Sequence, residues 1–379
     1  MPRLNMGRSL KVLLWGTYDT GKPRIRILRK GLREAGVRVD ELHFHVWRGI
    51  EDKSQVSSVW IAFRIIGTAA IWYPILLFRY IFSARHDFVV CGYFAYLDAL
   101  LIWPLAKLRR EKVVVDAFLP IFNTVVEDRK LFKPGSLPSR LIHWLERISL
   151  RSADIVLVDT NAHGRYYIDT FSVDPGKIVR AFVGVESENF GPKNAVSSGH
   201  VATVLFYGQF IPLHGIETIV EAARLLSGAA INFRIVGTGQ EAPKIRHMIA
   251  ERNLGNLDWT EWVEYEKLQN EIEKATVCLG IFGTSDKSGR VIPNKVFQIV
   301  SAGKPLITRD SPAIRELFGD SPPKGVTLVE AGNPQALAQA IVHAIGATDT
   351  GYSDRIIAEI APFRIGQRLR DDLCQRIGI

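Results

Sequence analysis

The chain has 379 residues, of which 47% are hydrophobic and 23% charged, an ordinary balance for a soluble protein of roughly two globular domains. Three cysteines lie far apart in the sequence, which argues against a disulfide framework or a cysteine-ligated metal. Residues 1–200 hold 29 Lys and Arg against 19 Asp and Glu, whereas the remainder holds 19 against 20. The basic first half is consistent with either a solvated surface or an anionic partner.

The N-terminal region contains an apolar piece, within KVLLWG at 11–16, that is far too short for the hydrophobic segment of a signal peptide. We predict that it forms the first β-strand. The expected location of the protein is the cytoplasm.

Short runs rich in β-branched residues alternate with longer helical patterns along the chain. Each run is continuously apolar, as in strands buried on both faces of a parallel sheet, and the helical segments supply right-handed crossovers. The predicted strands of the first half are 11–16, 87–92, 112–116, 154–159 and 177–184. Those of the second half are 201–208, 232–239, 276–283, 304–310 and 325–330. The pattern predicts an α/β protein with two doubly wound, Rossmann-like parallel sheets.

A polar stretch, GPKNAVSSGH at 191–200, lacks periodicity and is predicted to be a linker. It divides the chain into predicted domains 1–195 and 196–345, with C-terminal helices over 346–379 that pack back on the first domain. The cleft between two facing domains is the expected binding site.

A long apolar stretch at 59–82 has three interpretations: a core helix, a helix lying on a membrane surface, or a spanning helix. Arg64 and Arg79 leave 14 uncharged residues between them, too few to span about 30 Å of hydrocarbon. Aromatic residues in the stretch favour a water–lipid boundary; they are Trp60, Trp72, Tyr73 and Tyr80. A later cationic cluster is a candidate contact for anionic headgroups; it comprises Lys107, Arg109, Arg110 and Lys112.

The stretch 289–307, GRVIPNKVFQIVSAGKPLI, places a cation where one is unusual. Pro293 suits the first position of a helix, so Lys295 lies in the first turn, where the helix dipole favours negative charge. A polar loop followed by free N–H groups at a helix start binds anions. Lys295 is therefore predicted to bind a phosphate together with the helix end, the alternative being an exposed lysine on an ordinary helix. Asn294 and Gln298 share its neighbourhood by their spacing.

With these residues the chain resembles the retaining GT-B glycosyltransferases, glycosyltransferase family four, which use nucleotide diphosphate sugars. IPNKVFQIVSAGKPLI (292–307) resembles the family segment that binds the donor diphosphate, sugar and ribose. VLFYGQFIPLHGIETIVEAARLL (204–226) and FRIVGTGQE (233–241) resemble its strand–loop–helix and its glycine-bearing strand end. The resemblance implies donor contacts at Gly208, Gln209, His214, Gly237, Gly239, Arg290, Asn294, Lys295 and Gln298.

Four of these positions depart from the family pattern. Arg290 and Gln298 stand where the family carries two acidic residues, the second of which binds the donor ribose. Gln298 can hydrogen-bond a ribose but without a charge-assisted bond, and Arg290 is expected to contact phosphate or an acidic sugar instead. Gln209 and His214 replace a phosphate-binding Arg and Lys, so Lys295 is expected to carry more of the diphosphate charge.

The first domain also contains candidate site residues, on its side of the cleft. Gly16 ends the first predicted strand in WGTYDTGKPR (15–24), a loop that resembles the one approaching donor phosphate and acceptor in the family. Arg24 and Tyr18 are the candidate acceptor contacts. Asp116 ends another strand where the family carries a polar residue beside the anomeric carbon, and it is the candidate catalytic residue, to orient the acceptor or accept its proton. Capping of the following turn is the alternative role for Asp116.

The resemblance implies a retaining transferase that moves a sugar from a nucleotide diphosphate sugar to an acceptor, plausibly lipid-linked, in polysaccharide or glycolipid biosynthesis. No Asp-x-Asp triplet, His/Cys cluster or basic–aromatic nucleic-acid module is present, so no metal and no nucleic acid are expected. The expected partners are a nucleotide-sugar donor, a saccharide acceptor and an anionic membrane surface on the cytoplasmic side. A non-catalytic nucleotide-sugar-binding relative and a nucleotide-sugar epimerase of similar fold are the alternatives.

Overall fold

The computed structural model describes residues 9–46, 59–93, 95–192, 201–346 and 350–378, without the side chains of 59–66. Most of the predicted linker, from residue 193 to 200, lies outside the described residues.

The first part of the chain alternates strands and helices. Its strands are β1 (Lys11–Gly16), β2 (Arg38–His43), β3 (Phe88–Cys91), β4 (Lys112–Asp116), β5 (Ile155–Val158) and β6 (Ile178–Arg180). Its helices are α1 (Pro23–Glu34), α2 (Val59–Ile81), α3 (Ala95–Leu108), α4 (Leu137–Ser152), α5 (Asn161–Phe171) and α6 (Ser187–Phe190). A π-helix at Asn123–Asp128 lies between β4 and α4.

The second part repeats this alternation. Its strands are β7 (Ala202–Tyr207), β8 (Ile231–Val236), β9 (Leu257–Thr260), β10 (Val277–Leu279), β11 (Leu306–Arg309) and β12 (Val326–Val329). Its helices are α7 (Ile216–Leu225), α8 (Ala242–Arg252), α9 (Tyr265–Lys274), α10 (Asp286–Arg290), α11 (Asn294–Ser301), α12 (Pro312–Phe318) and α13 (Pro334–Gly346). Two helices, α14 (Asp354–Ile360) and α15 (Pro362–Ile377), follow them.

Both sheets are parallel throughout and have the doubly wound order. The first runs β2-β1-β3-β4-β5-β6 and the second β12-β11-β10-β7-β8-β9. The order reverses between β1 and β3 in the first sheet and between β7 and β10 in the second, and ligands of such sheets bind at these points. The predicted α/β fold with two Rossmann-like sheets is confirmed.

Each sheet is buried on both faces, which explains the continuous apolar runs. Along β1, Val12 and Leu14 pack with Ile25 of α1. Leu13 and Trp15 point to the other face and pack with residues of α2 and α3.

Strands β2 and β9 were not predicted, and both lie at a sheet edge. Their sequences, RVDELH and LDWT, contain charged residues, and most of their side chains are half-buried or exposed. An edge strand has one neighbour and can carry polar side chains, so it lacks the apolar signature of a central strand.

Helix α2 has one buried and one exposed face over its described side chains. Leu76 and Tyr80 are buried, whereas Ile71 and Phe78 are exposed. Aromatic residues predicted to mark a lipid boundary contact the protein instead: Trp72 stacks on Phe44, Tyr73 donates a hydrogen bond to Asp98 and Tyr80 to Glu111. Trp60 and the side chain of Arg64 lie outside the described set. A search of the described residues finds no helix that is sufficiently long and apolar to span a membrane.

The C-terminal helix α15 packs on α1 of the first part. Gly31 and Gly366 form the contact: a Cβ on Gly366 would lie 2.0 Å from the carbonyl carbon of Gly31. Arg370 adds a hydrogen bond to the carbonyl oxygen of Ala35, 2.9 Å away. The chain therefore ends on the first part after passing through the second.

A second contact joins the two parts near the cleft. Glu316 of α12 accepts hydrogen bonds from the backbone N–H groups of Asn161 and Ala162, both at 2.8 Å, and from Arg180 at 3.2 Å. Asn161 begins α5, so a carboxylate of the second part caps a helix of the first.

Candidate active site

Two glycine-bearing loops meet at the carboxyl ends of β7 and β8. Gly208 follows β7 with φ +140°, and a Cβ there would lie 3.0 Å from Nζ of Lys295. Gly237 follows β8, and a Cβ there would lie 1.9 Å from the carbonyl oxygen of Gly208. Gly239 packs in the same way against the backbone of Phe210. These close approaches require glycine and bring backbone to the place where a doubly wound sheet binds its ligand.

Lys295 lies in the first turn of α11, beside these loops. It is only 4% exposed, and among the described residues Nζ has no hydrogen-bond partner. Its nearest described aromatic contact is the ring of Phe206, whose centroid is 3.7 Å from Nζ. Burial lowers the pKa of Lys295 well below its ordinary value. A buried amine without a hydrogen-bond partner is costly to hold as a cation.

His214 borders the same pocket and is 9% exposed. Its Nδ1 hydrogen-bonds the carbonyl oxygen of Gln209. A carbonyl only accepts, so Nδ1 carries the proton and Nε2 of the neutral ring has a lone pair. Burial, and then the charge of Lys295, lower the pKa of His214 well below its ordinary value.

Gln298 and Asn294 lie on α11 with Lys295. Gln298 is 7% exposed, and its Oε1 accepts a hydrogen bond of 3.0 Å from the hydroxyl of Tyr207. Asn294 is half-buried at the start of α11, and the side chain of Gln209 is exposed. The structure thus brings Gly208, His214, Lys295 and Gln298 together as predicted, while their contacts with a donor stay a prediction.

Arg290 does not join this group through any contact that the structure describes. Its guanidinium lies 4.3 Å from the ring centroid of Tyr166 in the first domain, and its Nε donates to the carbonyl oxygen of Asp286. Its own carbonyl oxygen accepts a hydrogen bond from Thr160. These contacts place Arg290 between the two domains, and its predicted contact with the donor is not tested.

Arg24 and Asp116 form a buried ion pair. Their side chains are 1% and 0% exposed, with 2.8 Å between Nη2 of Arg24 and Oδ1 of Asp116. Arg24 also donates to the carbonyl oxygens of Ala181 and Phe182, which follow β6. The pair ties α1 and β4 to the end of the first sheet. Because both side chains are occupied by the protein, the geometry gives them a structural role, and the predicted acceptor and catalytic roles stay untested.

The loop after β1 is likewise held by protein groups. A Cβ on Gly16 would lie 2.0 Å from Oδ2 of Asp98, which accepts a 2.8 Å hydrogen bond from the N–H of Thr17. Burial raises the pKa of Asp98 to about 6. Tyr18 is 1% exposed, and its hydroxyl donates to Glu41 at 3.0 Å. The side chain of Tyr18 therefore lies in the core, which differs from its predicted place as an acceptor contact.

Residues that the sequence did not reveal include Tyr207, which holds Gln298, and Asp98, which holds the first loop. Tyr207 directly precedes Gly208, so its place at a strand end was a usable signal. Asp98 lies 81 residues from its partner Thr17, and no local pattern connects them. Among the described residues, no group of three or more His, Cys, Asp or Glu side chains could hold a metal ion.

Residues 201–346 match the family model of glycosyl transferases group 1. The chain has the fold of HepE from Anabaena in complex with UDP-glucose, with a TM-score of 0.68, 12% identity and coverage of 97% of this chain and 100% of that one. The sucrose-phosphate synthase of Thermosynechococcus elongatus gives a TM-score of 0.63, 17% identity and 98% coverage of both chains. The lipopolysaccharide outer core galactosyltransferase WaaB gives 0.61, 12% identity and coverage of 97% and 100%. No curated protein matches the chain in sequence.

Proposed function

We propose that this chain, a glycosyltransferase with the GT-B fold, transfers a sugar from a UDP-sugar to a saccharide acceptor with retention of anomeric configuration. The observation that carries the proposal is the buried Nζ of Lys295, which has no hydrogen-bond partner among the described residues and lies against Gly208 at the start of α11. The choice of a UDP-sugar rests on the likeness to HepE, which was solved with UDP-glucose.

In the proposed reaction, the bond between the anomeric carbon and the diphosphate oxygen breaks while the acceptor oxygen bonds to the same face of the sugar. The acceptor hydroxyl proton passes to the departing diphosphate. Lys295 and the N–H groups at the start of α11 stabilise the negative charge of the leaving group. We propose that these groups suffice without a metal ion.

The first experiment measures UDP binding by isothermal titration calorimetry. Replacing Lys295 with Met removes the charge but keeps an apolar stem, so we expect UDP to bind about tenfold or more weakly, the loss of a charged hydrogen bond. The melting temperature should stay equal or rise, because a buried amine without a hydrogen-bond partner is removed. Lys274→Met, at the exposed end of α9, is the matched control. Unchanged UDP affinity in Lys295→Met would reject the phosphate site.

Turnover separates the enzyme from a non-catalytic relative. We expect release of UDP from a UDP-sugar when a saccharide acceptor is supplied, with the product linkage having the donor's anomeric configuration by NMR. UDP binding without hydrolysis or transfer over a panel of UDP-sugars would favour the non-catalytic alternative. This test is motivated by Arg290 and Gln298, which stand where the family carries acidic residues.

We also propose that the acceptor is lipid-linked and that the enzyme works on the cytoplasmic face of a membrane, in polysaccharide or glycolipid synthesis. Helices α2 and α4 pack on one face of the first sheet and expose apolar side chains. On α2 the most exposed is Ile71 at 64%, and on α4 Leu137 at 82% and Trp144 at 56%. Residues 129–147 carry five cations and one acid, which suits an anionic bilayer surface.

Co-sedimentation with lipid vesicles tests the membrane surface. We expect binding to vesicles of phosphatidylcholine mixed with phosphatidylglycerol, little binding to phosphatidylcholine alone, and loss of binding in high salt. The double variant Phe78→Ser, Trp144→Ser should bind weakly, whereas Trp262→Ser, an exposed tryptophan of the second domain, should bind as the natural chain does. Equal binding to vesicles with and without phosphatidylglycerol would reject this part of the proposal.

A further inference from the structure

A second cavity lies between the two domains, beside the donor pocket. Its volume is about 630 Å³. One wall comes from the π-helix and α5 of the first domain, and the other from residues 285–290 of the second. We propose that this cavity binds the saccharide end of the acceptor through the carboxylate of Asp128, an assignment that rests on the proposed transferase function.

Asp128 is a buried carboxylate in the lining of this cavity. The residue is 9% exposed, and neither carboxylate oxygen has a hydrogen-bond partner among the described residues. Nζ of Lys287 forms an ion pair with Oδ2 at 3.6 Å, a separation too long for a hydrogen bond, and donates its hydrogen bond to the hydroxyl of Thr124 at 2.9 Å. A buried carboxylate with unused acceptor positions is costly unless a ligand fills them.

The backbone around Asp128 is unusual. Asp128 ends the π-helix Asn123–Asp128, and π-helical turns are rare and frequently occur at functional sites. Glu146 of α4 fixes the start of this segment by accepting hydrogen bonds from the N–H groups of Ile121 and Phe122, at 3.1 and 2.8 Å. The turn is thus held from behind while Asp128 faces the cavity.

The cavity is close to the donor pocket. The loop between β10 and α10 touches the donor loop, since a Cβ on Gly283 would lie 2.4 Å from the carbonyl oxygen of Leu213, and the residues that follow this loop line the cavity. An acceptor bound to Asp128 would therefore lie beside the proposed donor.

The side chains that line the cavity indicate the chemical class of its ligand. Four acidic and three basic side chains surround the cavity, so it has no excess of positive charge for a phosphate group. The guanidinium of Arg290 lies over one face of the Tyr166 ring, 4.3 Å from its centroid, so that face is not free to stack on a sugar. Hydroxyl groups donate to carboxylates and accept from ammonium groups. The cavity therefore suits a neutral sugar unit with several free hydroxyls.

Ligand-observed saturation-transfer NMR tests this assignment in the presence of saturating UDP. The probes are the methyl α- and β-glycosides of glucose, galactose, mannose and N-acetylglucosamine. We expect at least one to bind the natural chain and to bind Asp128→Asn about tenfold more weakly, the loss of a charge-assisted hydrogen bond. UDP affinity should change by less than about twofold, because Asp128 contacts the acceptor only. Asp320→Asn, whose carboxylate is 97% exposed, is the control.

Failure of the acceptor assignment and failure of the proposed function give different results. No glycoside binding by the natural chain, or equal binding by Asp128→Asn, overturns the acceptor assignment. If Asp128→Asn does not fold, Thr124→Val replaces it: this variant removes the other hydrogen-bond acceptor of Lys287, so that its ammonium can donate to its ion-pair partner Asp128 and occupy the carboxylate. The same loss of glycoside binding is expected. Absence of UDP binding by the natural chain, measured first by calorimetry, would instead contradict the proposed function.

Discussion

The tautomer of His214 decides what this side chain offers a phosphate. Because Nδ1–H donates to the carbonyl oxygen of Gln209, neutral His214 presents a lone pair at Nε2, which repels a phosphate oxygen. The side chain becomes a donor only after taking up a second proton. The predicted donor contact of His214 stays a prediction, and with this tautomer Lys295 carries the cationic role unless His214 is protonated.

UDP affinity should depend on pH through Lys295. Burial lowers its pKa well below the ordinary value, so the free protein holds this proton weakly. A bound diphosphate favours the charged form and raises the pKa, which means that binding takes up a proton. Affinity should then fall, by up to about tenfold per pH unit, as pH rises from the lowered pKa of the free protein towards that of the complex.

Calorimetry between neutral and mildly alkaline pH measures this slope, above the phosphate pKa of about 6. Titration in two buffers of different ionisation enthalpy gives the proton uptake directly. Lys295→Met should show no such slope. A flat profile in the natural chain, or the same slope in the variant, would contradict the assignment.

Site residues were predictable from the sequence where they belong to a local pattern, and not where they depend on contacts between residues far apart in the sequence. Gly208 and Lys295 were found because each belongs to a short loop–helix pattern with its own physical logic. Arg24 and Asp116 were singled out separately, but their ion pair spans 92 residues and follows from the packing of α1 against β4. The π-helix carrying Asp128 has no local signature, since its geometry depends on Glu146 and on the domain contact.

At the scale of elements, all central strands were predicted, whereas of the four edge strands β6 and β12 were predicted and β2 and β9 were not. Strands β4 and β7 sit inside their sheets and read as continuous apolar runs. Strands β2 and β9 lie at the edges, where charged residues such as Glu41 and Asp258 face other partners. The register of β2 on β1 is fixed by pairing from Lys11 with Arg38 to Gly16 with His43, which is a tertiary and not a local property.

The contact between α1 and α15 should be sensitive to a single methyl group. A Cβ on Gly366 would lie 2.0 Å from the carbonyl oxygen of Gly31, so Gly366→Ala forces the helices apart. We expect a loss of roughly 1–3 kcal/mol in the free energy of unfolding, the usual cost of overpacking, despite the better helix propensity of alanine. Urea denaturation followed by circular dichroism measures it.

Gly67→Ala is the matched control for this prediction. Gly67 lies inside α2, and none of the described atoms comes within 4 Å of a Cβ placed there. Its substitution should leave stability unchanged or raise it by up to about 1 kcal/mol. Equal effects of the two substitutions would show that the α1–α15 contact does not limit stability.

The chain passes between the two domains twice, once after β6 and once before α15. The cleft can therefore open only if the contacts between the domains on the side away from these crossings break. Glu316 provides such a contact, since it caps α5 from the second domain. Lys287 and Arg290 reach the first domain beside it, at Thr124 and Tyr166. Closure of the cleft therefore depends on a few polar contacts around the proposed acceptor cavity.

Replacing Glu316 with Ala should shift the molecule towards an open cleft. The side chain accepts three hydrogen bonds, and losing charge-assisted bonds of roughly 1.5–3 kcal/mol each would raise an open population by about tenfold or more. We expect a larger radius of gyration by small-angle X-ray scattering, a lower kcat because closure excludes water and aligns the substrates, and UDP affinity within about twofold, since Lys295 and Gly208 are untouched. Glu330→Ala, which removes a bond to Asn333 within the second domain, should change none of these. An unaltered radius and kcat in Glu316→Ala would mean that the cap does not govern closure.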